Sequence, residues 1–494
     1  QGHPFAMVRS EIARNPEKRI VDLLFDVTEG PHVYVERIDI NGNTITRDNV
    51  IRRNLPMAEG DPYTPFDKKY SKLALQDLGY FSTVSVDQTQ GSAPDRVNVA
   101  ANVVEKPTGE FSLGGGYSTD VGVLGNASIK QHNMLGTGID AGISGTVAYY
   151  EKQADISITD PYFLNRNLVA GADFYFIQNN YQTYQSYKES QYGMSLRLGY
   201  AYNRYLSQSF SYTLVDRQVG NFYDAASVAA DSQLWAYVPS IYVQQSAGWS
   251  VLSQISTSLT YDRRDRRMNP HEGYMMKVGG DFAGLGGNAK YYRFKADGAY
   301  YLPLDRLTGS HDWTLQFKGG VGYMGDWSDT GSRNIIDNFY LGGENLRGFL
   351  QGGVGPRSGH ICVAKADGKC ATYLPTAGQE DLLGGRFMYT ASAQLNFPMP
   401  MGDDLGISGR YFVDAGSLSS IRVKNKYTDY SRRNQAGYEY TPITGDTMIP
   451  RVSTGLGISW KSPFGLVNID GAIPLRKEKG DRLYPLRFGF GQQF

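Results

Sequence analysis

From Pro107 to Phe494 apolar and polar residues alternate in runs of about ten, with no helical run between them. Leu315, Phe317, Gly319, Val321 and Tyr323 alternate with Thr314, Gln316, Lys318, Gly320 and Gly322. Tyr389, Ala391, Ala393 and Leu395 alternate in the same way with Met388, Thr390, Ser392, Gln394 and Asn396. Period two gives each strand one apolar and one polar face. Stacked soluble sandwiches would need several separate cores to bury so many apolar faces. One closed sheet needs no such core, provided it turns its apolar face to lipid and its polar face to a lumen. Strands of ~10 residues match the hydrocarbon thickness, and units of about 24 residues predict roughly 16 strands, an even number. The expected class is therefore mainly β, an antiparallel transmembrane barrel.

No stretch approaches the ~18 consecutive apolar residues of a membrane helix, so a chain of this kind meets a bilayer with strands. The 49 basic and 49 acidic residues cancel, which removes bulk charge as a route to nucleic acid. With 20% of positions charged, the composition is not that of a disordered chain. The 58 glycines and 36 tyrosines suit turns and interfacial rings.

Residues 33–106 read differently, as strand, helix, helix, strand, strand. Val33, Val35, Ile38 and Ile40 form the first strand, and Asn41-Gly42-Asn43 turns out of it. Thr46 is the expected cap of a short helix running through Leu55. Thr64 caps a second helix with Pro65 in its first turn, and Phe66, Tyr70, Leu73, Ala74 and Leu78 are expected to form its apolar face. Val84 and Val86, then Val97, Val99, Ala101 and Val103, mark the last two strands. Residues 1–32 repeat the closing pattern of this module, with Pro16-Glu17-Lys18-Arg19-Ile20 echoing Pro94-Asp95-Arg96-Val97. They are expected to be the end of a preceding copy, with further modules upstream.

Gly-x-Ser-x-Gly, His-Glu-x-x-His, P-loop and calcium-loop patterns are absent, so neither catalysis nor a cofactor is expected. Cys362 and Cys370 close a nine-residue ring in a polar loop, which suggests a disulfide in an oxidising compartment. The competing reading is a two-ligand metal site, for which His360 is the one nearby histidine. Segments 179–190, 217–232 and 352–380 are long and polar and read as extracellular loops. Asp262 to Gly273 is a charged turn.

One loop stands out: Gly342-Gly343-Glu344-Asn345-Leu346-Arg347-Gly348-Phe349. It reads either as a solvated surface loop or as an arginine entering the lumen. The alternation through Ile407, Gly409, Tyr411 and Val413 puts Ser408, Arg410, Phe412 and Asp414 on the lumenal face, where Asp414 could receive Arg347. A second feature is the seam that closure demands between the first and last strands. Phe111, Leu113, Gly114, Gly115, Gly116 and Tyr117 lie on one side, and Phe488, Gly489, Phe490, Gly491 and Phe494 on the other. Glycine inside a strand costs roughly 0.5–1 kcal/mol relative to Ala, so this pairing is expected to be weak.

The strand-helix-helix-strand-strand module, Leu346-Arg347-Gly348-Phe349, Phe412-Val413-Asp414-Ala415-Gly416 and the terminal Phe494 together carry a family resemblance. Asn133 to Gly138, Asp160 to Phe163 and Tyr261 to Gly273 add to it. The chain resembles the central subunits of the bacterial outer-membrane β-barrel assembly machinery. That resemblance implies a membrane-proximal POTRA module at 33–106, the end of a preceding one at 1–32, and a 16-stranded barrel with long extracellular loops at 107–494. It implies that Arg347 pairs with Asp414. Asn396 stands where some relatives carry an acid, leaving it a hydrogen bond rather than an ionic one, and Gly491 permits an inward kink of the last strand. The implied activity is folding and inserting client β-barrels into the outer membrane through the seam. The implied partners are outer-membrane lipids, unfolded barrel clients, accessory lipoproteins on the periplasmic modules, and periplasmic chaperones. The alternative is a related pore that secretes one dedicated protein.

Overall fold

A computed structural model describes residues 7–15, 20–119, 121–181, 187–220, 239–267, 269–310, 312–328, 334–359, 380–399, 406–423, 443–462 and 465–491. The expected disulfide between Cys362 and Cys370 lies outside these residues, as does Phe494. The chain forms two compact units. The first holds residues 1–111 together with 129–142 and 158–165, and the second holds the remainder.

In the first unit β1 (Met7–Asn15) and β2 (Ile20–Thr28) form an antiparallel hairpin, in register from Met7↔Thr28 to Asn15↔Ile20. The POTRA-like fold follows: β3 (Tyr34–Asn41), α1 (Asp48–Arg52), α2 (Pro65–Asp77), β4 (Phe81–Gln90) and β5 (Arg96–Glu105). The sheet order is β3-β5-β4, with β3 parallel and β4 antiparallel to β5. Val33, Val35, Ile38, Val50, Ile51, Leu75, Val84, Val99 and Val103 form its core.

Two local expectations change here. Thr64 caps α2, accepting from the Asp67 N–H at 3.2 Å. Thr46 caps nothing: Arg47 precedes α1, which stops at Arg52 rather than Leu55, and the Thr46 hydroxyl accepts instead from Asn133 Nδ2 at 2.8 Å. Most of the apolar face expected on α2 also points away from the core, although Leu78 packs on it. Phe66 and Tyr70 are 71% and 60% exposed, while Ser71 and Leu75 are buried. Positions 66, 70, 73 and positions 71, 75, 78 have the same i, i+4, i+7 spacing on opposite sides of the helix, so periodicity alone cannot choose between them. Ser71 can face the core because its hydroxyl donates to the Asp67 carbonyl at 2.6 Å.

The second unit holds most of a closed barrel of 16 antiparallel strands, of which β6 to β9 have one end each in the first. In chain order these begin with β6 (Gly109–Ser118), β7 (Gly122–Gln131), β8 (Asp140–Ala148), β9 (Glu151–Asp160), β10 (Leu168–Asn180), β11 (Lys188–Ala201), β12 (Leu206–Gly220), β13 (Gly248–Asp262), β14 (Gly273–Ala283), β15 (Tyr291–Pro303) and β16 (Thr314–Asp326). The chain then enters a long inner loop carrying the two-residue strands β17 (Gly348–Phe349), β18 (Arg357–Ser358) and β19 (Asp381–Leu382). The wall resumes with β20 (Phe387–Pro398) and β21 (Ile407–Ser419). After β22 (Ile443–Thr444) come β23 (Arg451–Ser462) and β24 (Gly465–Arg476), and after β25 (Leu483–Tyr484) the wall closes with β26 (Leu486–Gly491). Apolar side chains such as Leu196, Phe317 and Leu456 stay exposed on the outside, as a lipid-facing wall requires. β10, β11 and β12 run further into the polar loop sequences than expected. Asn180 pairs with Lys188, and Val219 with Gly248, because a polar hairpin keeps its ladder beyond the hydrocarbon. The charged turn falls between β13 and β14, where Asp265 accepts from the His271 and Glu272 N–H groups.

Candidate functional site

The inner loop that leaves β16 folds back as a small soluble-type core. Phe339, Leu341, Leu346, Phe349, Val354 and Leu418 pack together with Tyr291 and Met324. Burying Leu346 and Phe349 fixes the backbone on either side of Arg347, whose side chain then meets the wall. Gly348 is required at this point. Its φ is +89°, and a Cβ there would come within 3.1 Å of the Ala472 Cβ.

Arg347 reaches Asp414 with Nε at 2.7 Å and Nη2 at 2.8 Å, a two-pronged pair, and its backbone N–H reaches the same carboxylate at 3.2 Å. Nη1 donates to Gln394 Oε1 at 2.7 Å and Nη2 to Ser392 Oγ at 3.3 Å. The guanidinium carbon sits 3.5 Å from the centre of the Phe412 ring, close enough for a cation–π contact. The Asp414 side chain is 2% exposed and that of Arg347 12%, so the pair is largely withdrawn from water. Ser392 completes the ring by donating to Asp414 Oδ1 at 2.6 Å. These wall residues meet because β20 and β21 pair Ser392 with Asp414 and Gln394 with Phe412.

Asn396 is not a direct partner of Arg347, contrary to the sequence expectation. It accepts from Gln394 Nε2 at 2.8 Å, one step further along the same face. Successive lumenal positions on a strand stand ~6.8 Å apart, too far for one guanidinium to span three of them. Gln394 and Ser392 take the place assigned to Asn396. Period two already placed them on the lumenal face, but nothing local marked their level. A second wall pair, Arg410 Nε with Asp470 Oδ1 at 2.7 Å, was likewise not singled out.

The inner loop is also tied to the last hairpin. β17 pairs with β25, Gly348 opposite Tyr484 and Phe349 opposite Leu483, immediately before β26. Leu350 donates to the Arg482 carbonyl at 2.9 Å, and Arg482 N–H to the Gly353 carbonyl at 3.0 Å. Beside this latch the fully buried Asp481 side chain takes Arg357 at 3.3 Å and Arg451 at 3.1 Å, and Arg357 also reaches Glu380 at 3.5 Å. The two arginines are 1% and 0% exposed.

The seam is made differently. Among the described residues, β26 meets β6 through Gly489↔Ser118 and Phe490↔Tyr117. Thr119 N–H donates to the Phe488 carbonyl at 3.1 Å, and the Tyr117 and Phe488 rings are 6.1 Å apart. By comparison β12 and β13 pair without a break from Leu206↔Tyr261 to Val219↔Gly248. Phe111, Leu113, Gly114, Gly115 and Gly116 precede the paired residues on β6, and Gly491 follows them on β26. Phe111 and Leu113 are strongly exposed.

In the first unit the family-like turns pack on α1. Asn133 holds the Gly138 N–H with its Oδ1 at 2.8 Å, and Arg47 N–H donates to the Gly136 carbonyl at 2.9 Å. Gly136, with φ +72°, has no room for a Cβ beside the Ile45 carbonyl. The Arg53 guanidinium lies 4.6 Å over the Tyr162 ring. Among the described residues no group of three or more His, Cys, Asp or Glu side chains is placed to hold a metal ion.

Comparison with known proteins agrees with this architecture. A family model described as the Omp85 superfamily domain matches residues 133–494, and a POTRA model, surface antigen variable number repeat, matches residues 33–106. The outer membrane protein assembly factor BamA of Neorickettsia risticii is 28% identical over all of this chain and 59% of its own length. That of Neisseria meningitidis is 28% identical over all of this chain and 60% of its length. The chain thus spans about three fifths of these curated relatives. A crystal structure of BamA from Haemophilus ducreyi lacking POTRA domains 1–3 superposes with a TM-score of 0.77 at 25% identity, covering 99% of this chain and 90% of that one. CdiB from Acinetobacter baumannii, at 13% identity and a TM-score of 0.50, shares the fold. The barrel is an outer-membrane barrel and the POTRA module is periplasmic. Because the Omp85 match extends over well over half of its length, the chain belongs to the Omp85 superfamily.

Proposed function

We propose that this chain is the membrane-embedded part of an outer-membrane assembly factor that folds and inserts client β-barrels, using the junction of β6 and β26 as a lateral edge. The observation that carries this reading is the brevity, among the described residues, of the β26–β6 register beside the unbroken β12–β13 ladder. A client strand in transit needs partners for its backbone N–H and C=O groups until its own barrel closes, and an opening seam supplies them without bond chemistry. The relatives named as assembly factors support the reading. Arg347 and the β17–β25 latch act within it by fixing the base of the last hairpin while the seam opens. On the periplasmic side, accessory lipoproteins and chaperones would reach the POTRA module, whose sheet edges accept added strands. The protein works as a scaffold and not as an enzyme.

The test is to lock the seam. Residues 119 and 488 are a hydrogen-bonded pair, so Ser118 and Gly489 form the adjacent non-bonded pair, the geometry in which Cβ atoms come closest. A Cβ on Gly489 meets nothing within 4 Å. Ser118→Cys with Gly489→Cys, in a background of Cys362→Ala and Cys370→Ala, should crosslink and stop client assembly while the barrel stays folded, and reduction should restore it. Full activity of the locked protein would falsify the lateral edge. Depletion in cells distinguishes the rival pore: many outer-membrane barrels fall together for an assembly factor, one exported protein for a dedicated pore.

A further inference from the structure

The outward side of α2 carries Phe66, Tyr70 and Leu73, 71%, 60% and 43% exposed, on the side opposite Ser71 and Leu75. Their i, i+4, i+7 spacing makes one stripe about 10 Å long. The POTRA core is complete without them, so folding of the module does not explain two aromatic rings and a leucine in water. Along one flank of the stripe stand Lys69 and Lys72, exposed, and Lys68, half-buried; Asp77 closes its C-terminal end. Among the described residues none of the three lysines pairs with a carboxylate. Apolar and aromatic residues edged by lysine are the pattern of a helix that lies in the headgroup layer of an anionic bilayer. A protein groove would also take the apolar stripe, but the unpaired lysines ask for negative charge. The bilayer is moreover always at hand. Only Lys106, Pro107 and Thr108 separate β5 from the membrane-spanning β6, which sets a high local concentration of headgroups whatever the arrangement of the two units.

We propose that α2 docks through this face on an anionic phospholipid surface, with Phe66, Tyr70 and Leu73 at the boundary of headgroups and acyl chains and Lys69 and Lys72 on the phosphates. The inference rests on the outer-membrane setting of the chain and not on client assembly, so it survives a locked seam. Each lysine near an anionic surface contributes roughly a fivefold gain in partitioning.

The experiment uses the whole chain with Cys362→Ala and Cys370→Ala, a nitroxide at Leu73→Cys, and a control nitroxide at Asp95→Cys in the β4–β5 turn. It is reconstituted in phosphatidylcholine vesicles with or without about one third phosphatidylglycerol. In the anionic vesicles the label at position 73 should become at least ~10-fold more accessible to oxygen relative to an aqueous nickel chelate, while the control stays aqueous. Lys68→Gln, Lys69→Gln and Lys72→Gln together, or Phe66→Ser with Tyr70→Ser, should abolish the difference. Heat-modifiable gel migration verifies that each variant is folded. A label equally aqueous in both vesicles overturns the proposal, as does protection that survives loss of the lysines. Protection that appears only when a periplasmic protein fraction is added also overturns it, and assigns the stripe to a protein partner.

Discussion

Arg347 meets the barrel wall through four of its five N–H donors, whereas β26 meets β6, among the described residues, through two opposed pairs that include Gly489. The regions are neighbours in the chain's wiring, since β25, latched to the arginine loop, directly precedes β26. The loop side uses charge-assisted bonds in a dry pocket, where loss of one partner leaves a buried charge exposed to nothing. The seam side uses backbone bonds at a glycine-bearing edge, where each bond can be exchanged for one to water or to another strand. In the proposed mechanism the anchor lies beside the seam and not in it, so that the edge can open without unfolding the last hairpin.

The largest effect should come from Asp481→Ala. It takes the carboxylate from Arg451 and leaves Arg357 only its longer contact with Glu380, both arginines being essentially buried, and should cost toward the upper end of ~3–5 kcal/mol in urea unfolding of the reconstituted barrel. If the latch matters as argued, client assembly falls with it. Stability within ~1 kcal/mol of the parent would show that the cluster is not an anchor. Arg347→Ala comes next, at about 3 kcal/mol, because Asp414 keeps Ser392 as a donor and is not left bare. A double-mutant cycle with Asp414→Asn should show coupling above ~1 kcal/mol, and strictly additive losses would break the pairing.

On the seam side the sign reverses. Gly489→Ala meets no neighbouring atom and should stiffen β26 by roughly 0.5–1 kcal/mol. Faster crosslinking of cysteines placed at the opposed pair Tyr117 and Phe490, with slower client assembly, is the expected readout; faster assembly would contradict a weak-edge mechanism.

The smallest effect at neutral pH belongs to the POTRA module and serves as the control. Burial pushes the Glu105 carboxyl up, but the hydroxyls of Thr46 and Thr44 and the Thr46 and Ile45 N–H groups overcome this and hold it at about 2, against an ordinary 4.5. A lowered pKa gives stability that is fully present above 4.5 and lost as pH falls through 2. Amide exchange at Ile45 and Thr46 should therefore accelerate between those values beyond its intrinsic pH dependence, with no change at the β17–β25 latch. Equal acceleration in both places would mean that acid acts globally.

How far the sequence reached differs between the same regions. Alternation on β20 and β21 was enough to put Ser392, Gln394, Phe412 and Asp414 on one face, and the arginine of the Leu346-Arg347-Gly348-Phe349 segment had an acid there to meet. The level at which Arg347 enters was not readable, and for that reason Asn396 stood in for Gln394. On α2 two stripes of equal spacing competed, and the more apolar one turned out to face away from the core.

What the sequence by itself determined is whatever repeats locally: period two, hence faces; runs of about ten, hence spanning strands; turn and cap residues such as Thr64, hence the edges of elements. The tertiary structure alone decided the latch of Gly348 and Phe349 on Tyr484 and Leu483, the burial of the Asp481 side chain between Arg357 and Arg451, and which residues oppose each other across the seam. The latch and the seam are backbone pairings, which carry no side-chain signature, and the three buried charges are spread over more than a hundred residues of chain. Only closure of the barrel, which fixes every strand's neighbour and height at once, brings them to the same place.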